Sequence, residues 1–309
     1  MNRGVYFKQA RLLLRILPLI NKYDSLALKG GTAINFFIRK LPRLSIDIDL
    51  TYLPIEDRDS SLAEISRIML LLSDDIKYHF FESTVIPKML DGDVVKGLVI
   101  RHDGVTIKIG PNLVMRGSVF NPIVMSTSFF VEKEFEISAQ MKVLSLEDLY
   151  GGKICAALDR QHPRDLFDIK LLFENEGFTE KIKQSFIVYL LAHPRPIVEI
   201  LAPRLLNLQE LFTKEFVGMS RIDTSLSELL ESRDKLFSVV KSSLTERDKE
   251  FLISVKKGEP HWELCEVPHI KELPAIKWKL HNIKKMNRQK NLIALKKLAT
   301  FLDRTDSHD

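Results

Sequence analysis

The stretch from Leu26 to Leu50 constrains this 309-residue chain more tightly than any other. Leu26-Ala27-Leu28-Lys29 is a short apolar run suited to a strand, Gly30-Gly31 suits a tight turn, and Thr32 to Arg39 reads as a helix start. Further on, Ile46, Ile48 and Leu50 alternate with Asp47 and Asp49, the period of a strand with one buried face. Both carboxylates then point the same way, with Cα atoms about 6.5–7 Å apart. Aspartate is depleted in strands and like charges side by side repel. The plain reading is two aspartates on the wet face of an edge strand; the chemical one is a carboxylate pair for a hard divalent cation, which Mg²⁺ prefers.

Gly31 stands 16 residues before Asp47. Glycine lets backbone come close to a phosphate, and amides at a helix N-terminus attract negative charge, although such a pair can also be a mere turn. Thr32 could cap the helix or touch a phosphate oxygen, with Lys29 beside it. Arg43 and Ser45 complete a loop that could reach the same anion, or the arginine could be solvated.

A second block, LSLEDLYGGKICAALDRQHPRDLFDIKLLFENEG, covers residues 144–177. Ser145 with Asp148 forms a capping box, opening a helix through about Leu158 that carries Lys153. Gln161-His162-Pro163 makes a turn, and a second helix starts near Arg164. Asp165 favours that helix N-terminus, while Asp168, deeper and beside Phe167 and Ile169, turns toward a partner. Lys153 and Asp168 could form a simple bridge between helices. His162 reads as a capping or packing residue.

The Gly-Gly turn followed by Asp-x-Asp resembles motif I of the nucleotidyltransferase superfamily, in the form used by the AbiEii/AbiGii-type toxins of type IV toxin–antitoxin systems. Residues 144–177 look like that family's later motifs, with Lys153 and Asp168 at its Lys and Asp catalytic positions. Residues 244–285, LTERDKEFLISVKKGEPHWELCEVPHIKELPAIKWKLHNIKK, are similar to its carboxy-terminal signature. The MenT tRNA nucleotidyltransferase toxins are more distant relatives. The resemblance implies an enzyme of abortive phage infection that transfers NMP from an NTP to RNA, at the 3′ end of tRNA, releasing pyrophosphate. Lys29, Gly30, Gly31, Thr32, Arg43, Ser45 and Lys108 would then hold the nucleotide. Asp47 and Asp49 would hold Mg²⁺ or Mn²⁺, with Asp47, Asp49, Lys153 and Asp168 catalytic. An AbiEi-like antitoxin encoded nearby is implied as well.

One departure stands out. Where the family commonly has Lys-Ile-Glu-Val-Asn, this chain has Ile107-Lys108-Ile109-Gly110-Pro111-Asn112. The acid is missing at Gly110, so a strict three-carboxylate scheme does not transfer, and Asp168 could supply the third carboxylate. Lys108 could neutralise phosphate or be an ordinary strand lysine. Arg116 is a further phosphate candidate.

The expected fold is α+β. A nucleotidyltransferase-fold domain, residues 1–178, would carry a mixed β-sheet with flanking helices, and a mostly α-helical domain would cover residues 179–309. A helix is expected near Ser61 to Leu72, with strand-like runs at Lys77 to Glu82, Gly97 to Arg101 and Val105 to Ile109. His102-Asp103-Gly104 is a hairpin turn. From Thr179 the chain reads as helices, with apolar runs at Phe186 to Leu191, Ile197 to Leu208 and Leu226 to Val240.

Net charge is +5, and its excess is local. Between Lys271 and Lys297 nine basic residues stand against one acid, Glu272. Lys277, Lys279, Lys284, Lys285 and Arg288 are the RNA-contact candidates, or a solvated helical face. Trp278 among them could stack on a base or pack in a core. The two cysteines, Cys155 and Cys265, and eight scattered histidines have no zinc spacing. No segment has the length and apolarity to span a bilayer; Leu12 to Ile20, interrupted by Arg15 and Pro18, reads as an amphipathic helix. A cytoplasmic protein with no membrane contact is expected. Two alternatives remain: transfer to a protein hydroxyl, and a non-catalytic NTP- or RNA-binding module.

Overall fold

The computed structural model describes residues 3–90 and 92–303. It forms two compact units, residues 1–149 with 213–224 and residues 150–212 with 225–309. The division falls within a helix that carries Lys153, ahead of the Thr179 boundary read from the sequence.

The first unit is built on a seven-stranded mixed sheet. Its strands are β1 (Leu26–Lys29), β2 (Asp47–Tyr52), β3 (Thr84–Met89), β4 (Val95–His102), β5 (Val105–Asn112), β6 (Ile123–Ser126) and β7 (Gln140–Val143). Their order is β3-β4-β5-β2-β1-β7-β6. β2 pairs parallel with β5 and β1 parallel with β7, while the other neighbours are antiparallel. Asp103 and Gly104 have φ +49° and +73°, the mirror-image type I turn whose twist suits a two-residue hairpin.

Helices α1 (Arg3–Ile20) and α3 (Arg58–His79) pack on this sheet, α1 against β5 and β7 and α3 against β3 and β4. In α1, Leu13, Leu14, Ile16, Leu17 and Ile20 are fully buried, while Arg11, Arg15 and Pro18 face outward. Between β1 and β2 a single turn, α2 (Gly30–Ala33), runs into a π-helical stretch, Ile34–Ile38. A short helix, α4 (Phe129–Phe135), lies between β6 and β7.

The run Lys77 to Glu82 is not a strand. The buried positions Leu62, Ile65, Ile68, Met69, Leu72 and Ile76 keep a helical spacing, so α3 continues to His79 and the next strand begins only at Thr84. Asp57 caps this helix, accepting from the amides of Asp59 and Ser60 at 2.9 Å each.

The second unit is helical, as expected. It takes in α5 (Leu146–Arg160) from Tyr150, α6 (Pro163–Glu174), α7 (Glu180–Ala192), α8 (Ile197–Leu201) and α9 (Gln209–Leu211). It continues with α10 (Leu226–Ser243), α11 (Glu246–Lys257), α12 (Pro274–Lys285) and α13 (Arg288–Asp303). Capping boxes at Ser225/Glu228 and Thr245/Asp248 open α10 and α11. The apolar run Ile197 to Leu208 is helical only to Leu201, because Pro203 disfavours the helical backbone of the residue before it.

Candidate functional site

β2 lies between β1 and β5, and the register decides which side chains meet. Asp49 pairs with Lys29 on β1 and with Gly110 on β5, and Asp47 pairs with Lys108. Directly opposed residues share a sheet face, so Lys29, Asp47, Asp49, Lys108 and Gly110 all look out from one side. Ile48 and Leu50 are fully buried on the other. The aspartates are therefore on a central strand, not the wet edge strand of the plain reading.

Gly30 sits at φ +73°, and a Cβ there would lie 2.6 Å from Asp49 Oδ2. The backbone conformation favours glycine, and any larger residue would displace the Asp49 carboxylate. A Cβ at Gly31 would lie 2.6 Å from an Arg43 guanidinium nitrogen. Arg43 is buried, and its Nη1 donates to the Leu44 carbonyl at 3.1 Å. Segment 213–224 fastens this loop: Leu44 N donates to Met219 O at 2.9 Å and Arg221 N to Pro42 O at 2.8 Å.

Thr32 is buried too. Its Oγ1 stands 2.5 Å from the Asp47 carbonyl oxygen and 2.8 Å from Ser45 Oγ. One hydroxyl proton cannot serve both, so donation to the carbonyl leaves Thr32 Oγ1 to accept from Ser45. These two hydroxyls thus hold the start of β2 in place. Asn35, which the sequence reading passed over, donates from Nδ2 to Gly31 O at 2.8 Å and ties down the glycine turn.

The carboxylate face opens into a cavity of about 310 Å³ whose walls include Asp47, Asp49, Lys88, Lys96, Lys108 and Gly110. A Cβ at Gly110 would meet nothing within 4 Å, so the missing acid leaves open space beside Asp49. Among the described residues no group of three or more His, Cys, Asp or Glu side chains is placed to hold a metal. Two outward carboxylates nevertheless fit Mg²⁺, whose sphere is usually completed by water and substrate phosphates. Arg116 is buried, and its Nη1 donates to Asp57 O at 3.0 Å, which ties it to the N-cap of α3.

In the second unit Lys153 and Asp168 come together. Lys153 Nζ lies 3.0 Å from Asp168 Oδ2 and 3.0 Å from Asp165 Oδ1, with all three residues buried. Arg160 adds contacts to both oxygens of Asp165, at 2.5 and 2.9 Å. Burial pushes the Asp165 carboxyl up, but Lys153 and Arg160 outweigh it and hold its pKa well below the ordinary value. Asp165 thus belongs to this ion-pair network, beyond its helix-N-terminal position. The i, i+3 spacing of Asp165 and Asp168 was the available signal; Arg160 gave none. Ser145 and Asp148 form the expected cap contact at 3.1 Å, and Asp148 also accepts from the Val119 and Phe120 amides. His162 Nδ1 caps α6 by accepting from Arg164 N at 3.1 Å.

The basic segment is divided in its engagements. Lys277 pairs with Glu272 at 2.8 Å. Lys279 donates to the His193 and Arg195 carbonyls at 2.6 and 3.0 Å, and burial, with Lys256 nearby, lowers its pKa to about 8. Lys284, Lys285 and Arg288 are exposed. Trp278 is 55% exposed and stacks on His281, so it does not pack in a core.

A strand–glycine turn–helix–strand unit presenting Asp-x-Asp on a mixed sheet is the architecture of a nucleotidyltransferase. The chain belongs to the family described as "Nucleotidyl transferase AbiEii toxin, Type IV TA system", which it matches over residues 11–281. Its fold is similar to that of MenT4, a nucleotidyltransferase toxin from Mycobacterium tuberculosis H37Rv. The TM-score is 0.60 at 15% identity, over 92% of this chain and 99% of that one. No match is found among curated proteins. Among the described residues no helix is long and apolar enough to cross a membrane.

Proposed function

We propose that this toxin transfers the NMP of an NTP to an RNA acceptor, the 3′ end of tRNA. The observation that carries this reading is the set of outward Asp47 and Asp49 on a central strand, with Gly30 packed against Asp49. The acceptor hydroxyl oxygen forms a bond to the α-phosphorus as the bond from that phosphorus to the bridging oxygen breaks. Pyrophosphate leaves with the electron pair, and the hydroxyl proton passes to a carboxylate or solvent. Gly30 and Gly31 expose backbone to the triphosphate, Lys29 and Lys108 flank it with positive charge, and Thr32, Ser45 and Arg43 keep β2 and its loop in register. Mg²⁺ or Mn²⁺ held by Asp47 and Asp49 would offset charge on the phosphates. Positioning and electrostatics supply most of the acceleration in such a reaction.

For Lys153 and Asp168 the resemblance supports catalytic roles, Lys153 offsetting phosphate charge and Asp168 orienting or deprotonating the hydroxyl. Their buried ion pair favours a second reading, in which they hold α5 to α6. Lys153→Met and Asp168→Asn separate the two: loss of transfer at unchanged melting temperature supports catalysis, and parallel loss of both supports the clamp.

Exposed Lys284, Lys285 and Arg288, with Trp278, support RNA contact on α12 and the start of α13. An AbiEi-like antitoxin and a cytoplasmic setting complete the proposal. The test is incubation of the protein with each of the four α-³²P-NTPs, bulk tRNA and lysate protein. Label on tRNA from one or more NTPs is expected; label on protein alone would overturn the RNA acceptor.

A further inference from the structure

The proposed reaction, on which this inference rests, displaces pyrophosphate in line, so the attacking oxygen and the leaving group stand on opposite sides of the α-phosphorus. The sheet order supplies two such sides. Next to β2 on one side is β1, leading into Gly30-Gly31, where the triphosphate was assigned. On the other side lie β5, β4 and β3 in turn. The cavity extends over these three strands, and its far wall carries Lys88 on β3 and Lys96 on β4, with Lys108 of β5 nearer the aspartates. All three lysines are exposed, and none forms an ion pair with a described residue.

Between the lysines and the aspartates the floor is stripped of side chains at Gly97 and Gly110. Gly97 is forced, since a Cβ would lie 2.5 Å from the Ile109 carbonyl oxygen. Gly110 is not forced, since a Cβ would enter open space. The result is a trough with a bare floor, cations along its outer wall and the carboxylates at its inner end. A single point anion would need one cation beside the aspartates. Lys88 and Lys96, on two successive strands beyond the Lys108 that flanks the nucleotide, instead fit a chain of spaced negative charges.

We propose that Lys88 and Lys96 bind the phosphodiester backbone of the acceptor RNA strand, and that the β3-β4-β5 face is the track along which its 3′ end reaches Asp47 and Asp49. The proposal concerns Lys88 and Lys96 of the first unit, other residues than the basic set of α12 and α13. Lys88 and Lys96 act on the acceptor alone, not on the NTP.

The test is the Lys88→Ala/Lys96→Ala double variant of the full chain. Binding of 5′-³²P-labelled bulk tRNA is measured by filter retention over a salt series, with α-³²P-NTP transfer in parallel. Affinity for tRNA should fall about tenfold or more near physiological salt. The slope of log K against log salt should shrink by about 1.4, two released counterions on a single strand. The KM for NTP should stay within about twofold, and the melting temperature should not move, because both side chains are exposed. A raised KM for NTP with unchanged tRNA binding would overturn the inference and assign the lysines to the nucleotide. Transfer to tRNA by wild type with unchanged tRNA binding by the variant would sink this inference alone. Weakened tRNA binding with no wild-type label on RNA would support the track while removing the proposed reaction. Label on protein only, with unchanged tRNA binding, would overturn both.

Discussion

At Gly30 and Thr32 the neighbourhood of the aspartates is decided by single atoms. Gly30→Ala must hold φ +73°, a backbone region that costs an L-residue about 1–2 kcal/mol, and must displace the Asp49 carboxylate, whose Oδ2 stands 2.6 Å from where the methyl group would be built. We expect a folded protein with a melting temperature lowered by several degrees and nucleotidyl transfer reduced at least about tenfold, read by calorimetry and label transfer. Thr32→Val keeps the shape and removes the donor to the Asp47 carbonyl, with an expected loss near 1 kcal/mol in urea unfolding. Asp47 and Asp49 were legible in the sequence because period two is a local property of the backbone. Asn35 and Arg160 were not: their partners, Gly31 and Asp165, stand only four and five residues away, but neither spacing marks which polar neighbour a helical side chain will bond.

At the scale of elements, short-range pattern succeeded where one period dominated. The β1–Gly-Gly–helix–β2 unit, the Asp103-Gly104 hairpin and the α5–α6 turn at Pro163 all follow from such patterns. It failed at Lys77 to Glu82, which reads as strand-like, because the buried stripe of α3 extends the helix to His79. β6 offered no pattern, since three of its four residues are exposed. Gly110 lies in β5 with open space above it, and glycine inside a strand is less stable than alanine by roughly 0.5–1 kcal/mol. Gly110→Ala should therefore raise the unfolding midpoint slightly, read by urea denaturation. A fall would mean that the strand needs glycine there for its backbone.

For the molecule as a whole, the buried network of Lys153, Asp165, Asp168 and Arg160 links folding to pH. The folded-state pKa of Asp165 is depressed, so its contribution is fully present above the unfolded value, about 3.9, and is lost as pH falls through the folded one. The stability gap between wild type and Asp165→Asn should be largest at neutral pH and narrow on acidification below about pH 4; a constant gap would deny the network that role. Lys279 carries a penalty in place of a contribution, at higher pH. Its folded pKa, near 8, lies below the unfolded value of about 10.4, so its burial penalty holds below pH 8 and is relieved as pH rises toward 10.4. Wild type should gain stability relative to Lys279→Met across that window. The two-unit organisation itself was only partly legible, because a helix that continues unbroken across the division carries no local mark of it.

The most direct measurement is transfer of label from α-³²P-NTP to bulk tRNA by wild type and by Asp47→Asn and Asp49→Asn, with circular dichroism to confirm folding. Wild type should yield labelled tRNA, and each folded variant should lose at least about a hundredfold of it. Undiminished labelling by a folded Asp47→Asn protein would rule out catalysis by this carboxylate pair.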